Sequence, residues 1–415
     1  MTRRGAVPSL FLGLLSGCVF GKDSTAPSHA SCVLTGQTAS AASLAVVGCG
    51  LLDSRYTAEV AVRDSIAYTT TWGFRSAQGN MVAIWNVAGD EPILVDSVFV
   101  SGATTLGDVI ITDDGQLLIV ATERLNGSLV IFDRTDPRHP RQLARLATPE
   151  TYNGVHTAEV GRVNGHLYAV LAVDPLSGGS SADSKIVIVD LGDPTNPRQV
   201  FVKSVPSSAP FVHDTFLRDG LLFVALWNNG IEIWDVGGGG QGGTPSAPVV
   251  LGAVATIGGD AHNIWWLHDA VSGNRYAFVG EESGPAQLGV SSAGDIHVLD
   301  VSDLTHPREV AFYHVPGAGT HNFSVDEQSG ILYAAYYNAG VRAIDVRGDL
   351  ETCAPPQQVT TGILTRCDLG AMGREVGRGL AGGSPAVYVW GVQLSGSFLY
   401  ASDMLNGLWK LRTVQ

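Results

Sequence analysis

Short apolar stretches recur along the chain, and each closes in the same way. Leu129-Val130-Ile131-Phe132-Asp133 runs into Asp136-Pro137-Arg138-His139-Pro140-Arg141, and Ile186-Val187-Ile188-Val189-Asp190 runs into Asp193-Pro194-Thr195-Asn196-Pro197-Arg198. Looser copies end at Asp235, at Asp300 before Pro307-Arg308, and at Asp345; residues 81–86 form a degenerate first copy and 408–411 a truncated last one. Ahead of each lies another apolar stretch, usually after a Gly turn, as at 117–121, 167–170, 221–225, 276–279, 331–335 and 399–401. Runs of five or six Val, Ile, Leu and aromatic residues bounded by Gly, Asp, Asn and Pro are too short for helices and predict strands. In the closing turn, Asp accepts from backbone amides just ahead while Pro fixes φ.

The unit is therefore strand, turn, strand, loop, strand, Asp-Pro turn, strand, repeated seven times at intervals of about 45 to 65 residues. A four-stranded unit of this period buries its faces only against its neighbours, which predicts an all-β, seven-bladed β-propeller of four-stranded antiparallel blades. The Ile-Val-Ile-Val-Asp and Leu-Val-Ile-Phe-Asp strands, with Asp-Pro-x-x-Pro-Arg behind them, resemble the LVIVD-repeat family of bacterial and archaeal cell-surface proteins. The resemblance spans about residues 55 to 412 and implies a propeller at the cell surface, with no catalytic residues to carry over. Trp85 and Trp234 give some copies a WD-like look, but the proline-bearing turn argues against that class.

An extra strand-like segment, 55–62, precedes the first unit, and the last unit lacks a fourth strand. Terminal segments are expected to share a blade, which hides sheet edges. Residues 347–385 do not fit the unit and read as an insertion containing a disulfide.

Four histidines, His156, His213, His262 and His321, open successive units as His-Thr, His-Asp or His-Asn. Counting back from each first turn gives the equivalent series Tyr56, Asp108, His156, His213, His262, His321, then Val389 or Trp390. Equivalent positions on equivalent strands point the same way, so the four imidazoles either share the axis or all avoid it. The end of each second strand returns to the same face, bringing Glu123, Asp174, Asn228, Glu281, Glu282, Asn338 and Asp403. A hairpin would set Glu281 near His262, Asn338 near His321 and Asn228 near His213. Two readings stay open. Neutral imidazoles with carboxylates behind them would take a divalent transition metal as cofactor. Alternatively, each His bonds the backbone of the loop entering its blade, a structural feature copied with the repeat. Elsewhere, Gly237–Gly243 lacks the Lys-Ser/Thr ending of a phosphate loop, and Asp113-Asp114-Gly115 reads as a hairpin turn rather than a calcium loop.

Composition changes the picture mainly at the ends. With 415 residues, 45% of them apolar, one large repeat array can be buried, and 51 glycines suit its many turns. A net charge of −14 without any Lys/Arg cluster speaks against a nucleic-acid partner. Arg3 and Arg4, an apolar run from Val7 to Leu15, and Leu15-Ser16-Gly17-Cys18 predict a signal peptide over 1–17 and acylation of Cys18. Residues 18–50 then read as a lipidated flexible tether, and 51–415 as the propeller. Val19 after the Cys points to the outer membrane or cell surface. Cys32, Cys49, Cys353 and Cys367 remain, an even number that predicts two disulfides in an exported chain, most simply between near neighbours. The functional expectation is a recognition or scaffold module for an envelope protein, glycan or small ligand, touching the membrane through its acyl anchor. The alternative is a metal-dependent enzyme using the ring of four histidines.

Overall fold

The computed structural model describes residues 44–414 apart from 75–76, 177–182, 206–208, 210, 284–292 and 383–384. Among these, seven sheets follow one another along the chain, each built on four antiparallel strands, with two more strands added to the fifth. The first blade uses Tyr56–Arg63, Ile66–Trp72, Met81–Asn86 and Ile93–Phe99, in that order from the axis outwards; the second starts at Leu106–Ile111, the third at Val155–Val163, the fourth at Thr215–Arg218, the fifth at Ala261–Trp266, the sixth at Phe323–Asp326 and the seventh at Val389–Ser395.

The apolar runs become second and third strands, buried on both faces because each blade is covered on either side by another. Each neighbouring pair of blades encloses its own core: Leu118 and Val130 of the second blade pack with Tyr68 and Ile84 of the first, and Val224 and Trp234 of the fourth with Ile186 and Ile188 of the third. The last such core joins Tyr400 and Leu408 of the seventh blade to Ala67 and Trp85 of the first, so the ring is closed. The turn aspartates act as their chemistry dictates. Asp193 Oδ1 accepts from the Thr195 amide at 3.0 Å and its hydroxyl at 2.6 Å, and Asp303 does the same with Thr305.

The seam differs from the expected one. Tyr56–Arg63 is the first blade's own innermost strand, whereas the closing strand is Val46–Leu51, paired antiparallel with Gly407–Arg412 as the outer strand of the seventh blade. The propeller therefore begins before residue 50, ahead of the expected start at 51. Lys410 locks this seam, its buried ammonium donating to the carbonyls of Val87 at 2.9 Å and Gly89 at 2.8 Å in the first blade.

The segment after Asp345 also divides differently. Glu375–Gly379 is the regular outer strand of the sixth blade. The insertion proper ends before it and carries a hairpin, Gln358–Thr361 with Leu364–Asp368, that extends the fifth blade through parallel pairing of Ala311 with Cys367 and Phe312 with Asp368. Cys353 and Cys367 are disulfide-bonded within it. Cys49 is disulfide-bonded as well; Cys32, its expected partner, and Cys18 lie outside the described residues.

Candidate functional site

Every innermost strand begins with a β-bulge, in which two residues oppose one and the alternation of side chains is broken. In the third blade Val155 pairs with Val173 and Thr157 with Ala172, leaving His156 as the extra residue. His262 occupies that place in the fifth blade and Trp390 in the seventh. In the fourth, the His213 amide donates to Ala225 O while the Ala225 amide donates to Asp214 O; His321, Asn322 and Ala335 repeat this in the sixth. The register shifts of the first and second blades, between Thr57 and Val60 and between Leu106 and Val109, put Ala58 and Gly107 at the same place.

The axial series is therefore Ala58, Gly107, His156, His213, His262, His321, Trp390. This corrects the sequence alignment at two positions. Tyr56 lies two residues early and packs edge-on against Phe74, with ring centroids 5.4 Å apart. Asp108 is the second bulge residue of its blade, and accepts from the Ala158 amide at 2.9 Å. The second bulge residues form their own series: Glu59, Asp108, Thr157, Asp214, Asn263, Asn322, Gly391.

The four histidines form one continuous arc. His156 Nε2 and His213 Nε2 are 2.9 Å apart, and ring centroids are 3.9 Å apart from His213 to His262 and 4.2 Å from His262 to His321. Trp390 closes the arc against His321 at 4.3 Å. Carboxylates stand behind three of the rings: Asp174 at 3.4 Å and Glu123 at 3.8 Å from His156 Nδ1, Glu282 at 3.5 Å from His262 Nε2, and Glu59 at 3.7 Å from His321 Nδ1.

Three of the expected supporting residues fall elsewhere. Glu281 faces the other side of its strand and meets His297 Nε2 at 3.3 Å, leaving Glu282 to approach His262. Asn228 and Asn338 are exposed on turns. The residues before them, Trp227 and Tyr337, hold φ of 43° and 42°, a left-handed conformation costly for aromatic residues. That conformation turns Trp227 onto His213, nearly stacked at 5.2 Å, and Tyr337 edge-on to His321 at 5.3 Å, with its hydroxyl on Glu282. Sequence reasoning misses Glu59 and reads Trp227 and Tyr337 as blade packing or a binding face at loop ends; the pairing of an aromatic with a following Asn in both turns is the available signal for their place beside the histidines.

Glu59, Asp108, Glu123, Asp214 and the four imidazoles line a chamber whose wall holds, among the described residues, neither Lys nor Arg. The space open to the centre of a water molecule is only about 20 Å³, room for one or two waters or an ion and too little for an organic molecule. The opening lies on the side of His156, whose side chain is 20% exposed against 2% for His262.

Burial sets the protonation. It pushes His262 down to about 3, aided by charge on His156, and pushes His213 and His321 well below the usual imidazole value, with His262 adding to both. His156 is the exception: burial opposes its charge, but Glu123 and Asp174 raise it to about 10. Burial raises Glu59 and Glu123 to about 8 and Asp108 to about 6. Three neutral imidazoles thus face a crowded set of carboxyls.

Comparison with known proteins agrees with this architecture. The LVIVD repeat model matches residues 290–315, on the third and fourth strands of the fifth blade, where Asp300 precedes Pro307-Arg308. No curated protein matches the sequence. The crystal structure of the Cps50 (Swd1) β-propeller domain of Myceliophteria thermophila superposes with a TM-score of 0.57 at 11% identity, covering 88% of this chain and 99% of that one. The likeness is one of fold. A seven-bladed propeller carrying this repeat fits a general scaffold or recognition module.

Proposed function

We propose that this chain is an exported, lipid-anchored propeller that serves as a recognition or scaffold module at the cell envelope, and that its partner is a protein. Leu15-Ser16-Gly17-Cys18 supports the anchor, with cleavage before Cys18 and acylation of its sulfur. The size of the axial chamber argues against a glycan or other organic ligand on the axis, which leaves the outer surfaces for recognition.

The observation that carries the protein reading is the outer strand of the first blade. Ile93 is 60% exposed and Phe99 56%, with Leu94 and Val95 exposed between them and Leu51 exposed on the adjoining seventh blade. Among the described residues no further strand pairs with this edge. An outer strand with several apolar side chains in water is a template for a partner chain.

A photo-crosslinking residue at position 99 in intact envelopes tests it. A discrete adduct at 99, lost on Leu94→Glu and absent from position 250 on another outer strand, is expected; equal labelling at both positions would contradict it. Cys18→Ala should in parallel release the protein from the membrane fraction.

A second reading, metal-dependent chemistry on the axis, is favoured by the four converging imidazoles. Any reacting molecule larger than water would have to meet such a centre at the mouth beside His156.

A further inference from the structure

Buried polar atoms in folded proteins are hydrogen-bonded with few exceptions, because an unpaired one gives up its bonds to water and receives nothing in return. The axial arc concentrates the exceptions. Both nitrogens of His262, Nδ1 of His213 and Nδ1 of His321 are buried without a hydrogen-bond partner among the described residues. An ion can meet only one nitrogen of each ring, so these atoms mark the arc as incompletely bonded rather than as one ligand set.

We infer that His156, His213, His262 and His321 hold one first-row divalent transition ion on the propeller axis, with Glu59, Glu123 and Glu282 as the carboxylates that orient and balance them. This goes beyond the recognition reading and stands or falls separately from it.

Four observations converge. Ring nitrogens bound to one ion at about 2.0–2.1 Å lie roughly 2.9 to 3.4 Å apart, between right-angled and tetrahedral arrangements; His156 Nε2 and His213 Nε2 are 2.9 Å apart. Donor atoms of His213, His262 and Glu282 all lie within 4.8 Å of one another, as do those of Glu123, His156 and Asp174, and the His156–His213 contact joins the two groups. A ligating imidazole characteristically presents its other side to a carboxylate, and His156 and His321 do so at Nδ1. Among the described residues the wall holds four carboxyl groups and no Lys or Arg, so positive charge on the axis falls to the histidines or to an ion they hold. Imidazole donors select Zn, Cu, Fe or Ni rather than Mg or Ca, and the chamber accommodates such an ion with one water.

The competing account is a proton shared between His156 and His213 within a purely structural network. It predicts no metal dependence. The test is to load the purified full chain separately with Zn(II), Cu(II) and Fe(II), desalt, and measure retained metal and thermal stability, with Co(II) absorption as a probe of nitrogen coordination. About one ion per chain is expected for at least one of these metals, with a rise in melting temperature that a chelator reverses. His213→Ala and His262→Ala should abolish retention, while His139→Ala and His306→Ala on the exposed turns should leave it unchanged. Should the axial alanine variants fail to fold, the near-isosteric Glu282→Gln and Glu123→Gln carry the test, each lowering affinity about 10- to 100-fold. A folded wild-type chain that retains none of these metals and shows no melting shift overturns the inference, as does retention unchanged in the folded axial variants.

Discussion

His156 and His213 lie 57 residues apart in sequence, on neighbouring blades, and meet Nε2 to Nε2 at 2.9 Å. The contact follows from the bulges that open both strands, since each adds one residue to the inner strand and turns its side chain to the axis. It also depends on how closely neighbouring bulges approach, which leads to the first prediction.

A Cβ on Gly107 would lie 2.1 Å from the carbonyl oxygen of His156. Gly107→Ala must therefore push the second and third blades apart where the arc begins, and overpacking of this kind costs about 1–3 kcal/mol. Denaturant unfolding of the variant should show that loss. Ala58→Gly, at the equivalent place in the first blade, adds no atom and should cost less. Equal effects would show that the close approach at Gly107 is unimportant.

Much of the fold is legible in the sequence, and the shortfall has physical causes. The second and third strands are readable because both faces are buried and the Asp-Pro turns mark their ends, as at Asp133 and Asp190. The equivalence of the four histidines is also readable. The distance from bulge to hairpin, however, differs between blades and leaves no trace in hydrophobic alternation: His156 stands seven residues before Val163 but Ala58 only five before Arg63, and the second blade has the longer turn from Ile111 to Leu118, which is why counting from the turns gives Tyr56 and Asp108 where register gives Ala58 and Gly107. Left-handed turns, which composition alone does not reveal, bring Trp227 and Tyr337 rather than Asn228 and Asn338 to the histidines. The closing strand escaped because it looks like tether: Gly48 and Gly50 are small since a Cβ there would meet Asp90 O at 2.6 Å and the Trp85 ring at 2.5 Å.

That seam supplies a second prediction. Deleting residues 1–52 removes the outer strand of the seventh blade and exposes the edge of Gly407–Arg412. Relative to a chain starting at residue 44, the shorter chain should melt at lower temperature and self-associate through the bared edge, as read by light scattering. Matching melting curves and monomeric behaviour would contradict the role given to this strand.

The fifth blade makes stability depend on pH. His297 is fully buried, with Nδ1 2.8 Å from Glu309 and Nε2 3.3 Å from Glu281, and Arg366 of the insertion bonds Glu309 as well. Burial opposes the charge on His297, but the two carboxylates raise it from 6.5 to about 9. Its contribution is therefore complete below pH 6.5 and is lost as pH rises through about 9. Burial alone would raise Glu281 and Glu309, yet His297 holds both below their ordinary value of 4.5; their contribution is present above about pH 4.5 and fades as pH falls. Unfolding free energy should decline between about pH 7 and pH 10, the window around the raised histidine. His297→Gln should flatten that decline and cost about 3 kcal/mol at about pH 7, the scale of breaking a buried charged pair. Parallel pH curves for the two proteins would refute this.

The insertion should respond locally. Its hairpin joins the fifth blade through two residue pairs, and the Cys353–Cys367 bond closes a loop with a sequence separation of 14. Replacing both cysteines by Ser removes about 3 kcal/mol of loop constraint, which would accelerate proteolysis near the exposed Ile363 roughly a hundredfold if opening precedes cleavage. The protease fragments should map to residues 350–374 with the ring intact. Cleavage at the wild-type rate would show that the hairpin is held by its pairing and by Arg366 alone.

X-ray absorption at the metal edge, on the full chain loaded with zinc or copper and desalted, tests the axial arc most directly. The account predicts a first shell of nitrogen and oxygen at about 2.0–2.1 Å with the outer-shell scattering of several imidazole rings, lost in His213→Ala. A shell of oxygens without imidazole scattering, or no metal left after desalting, would contradict it.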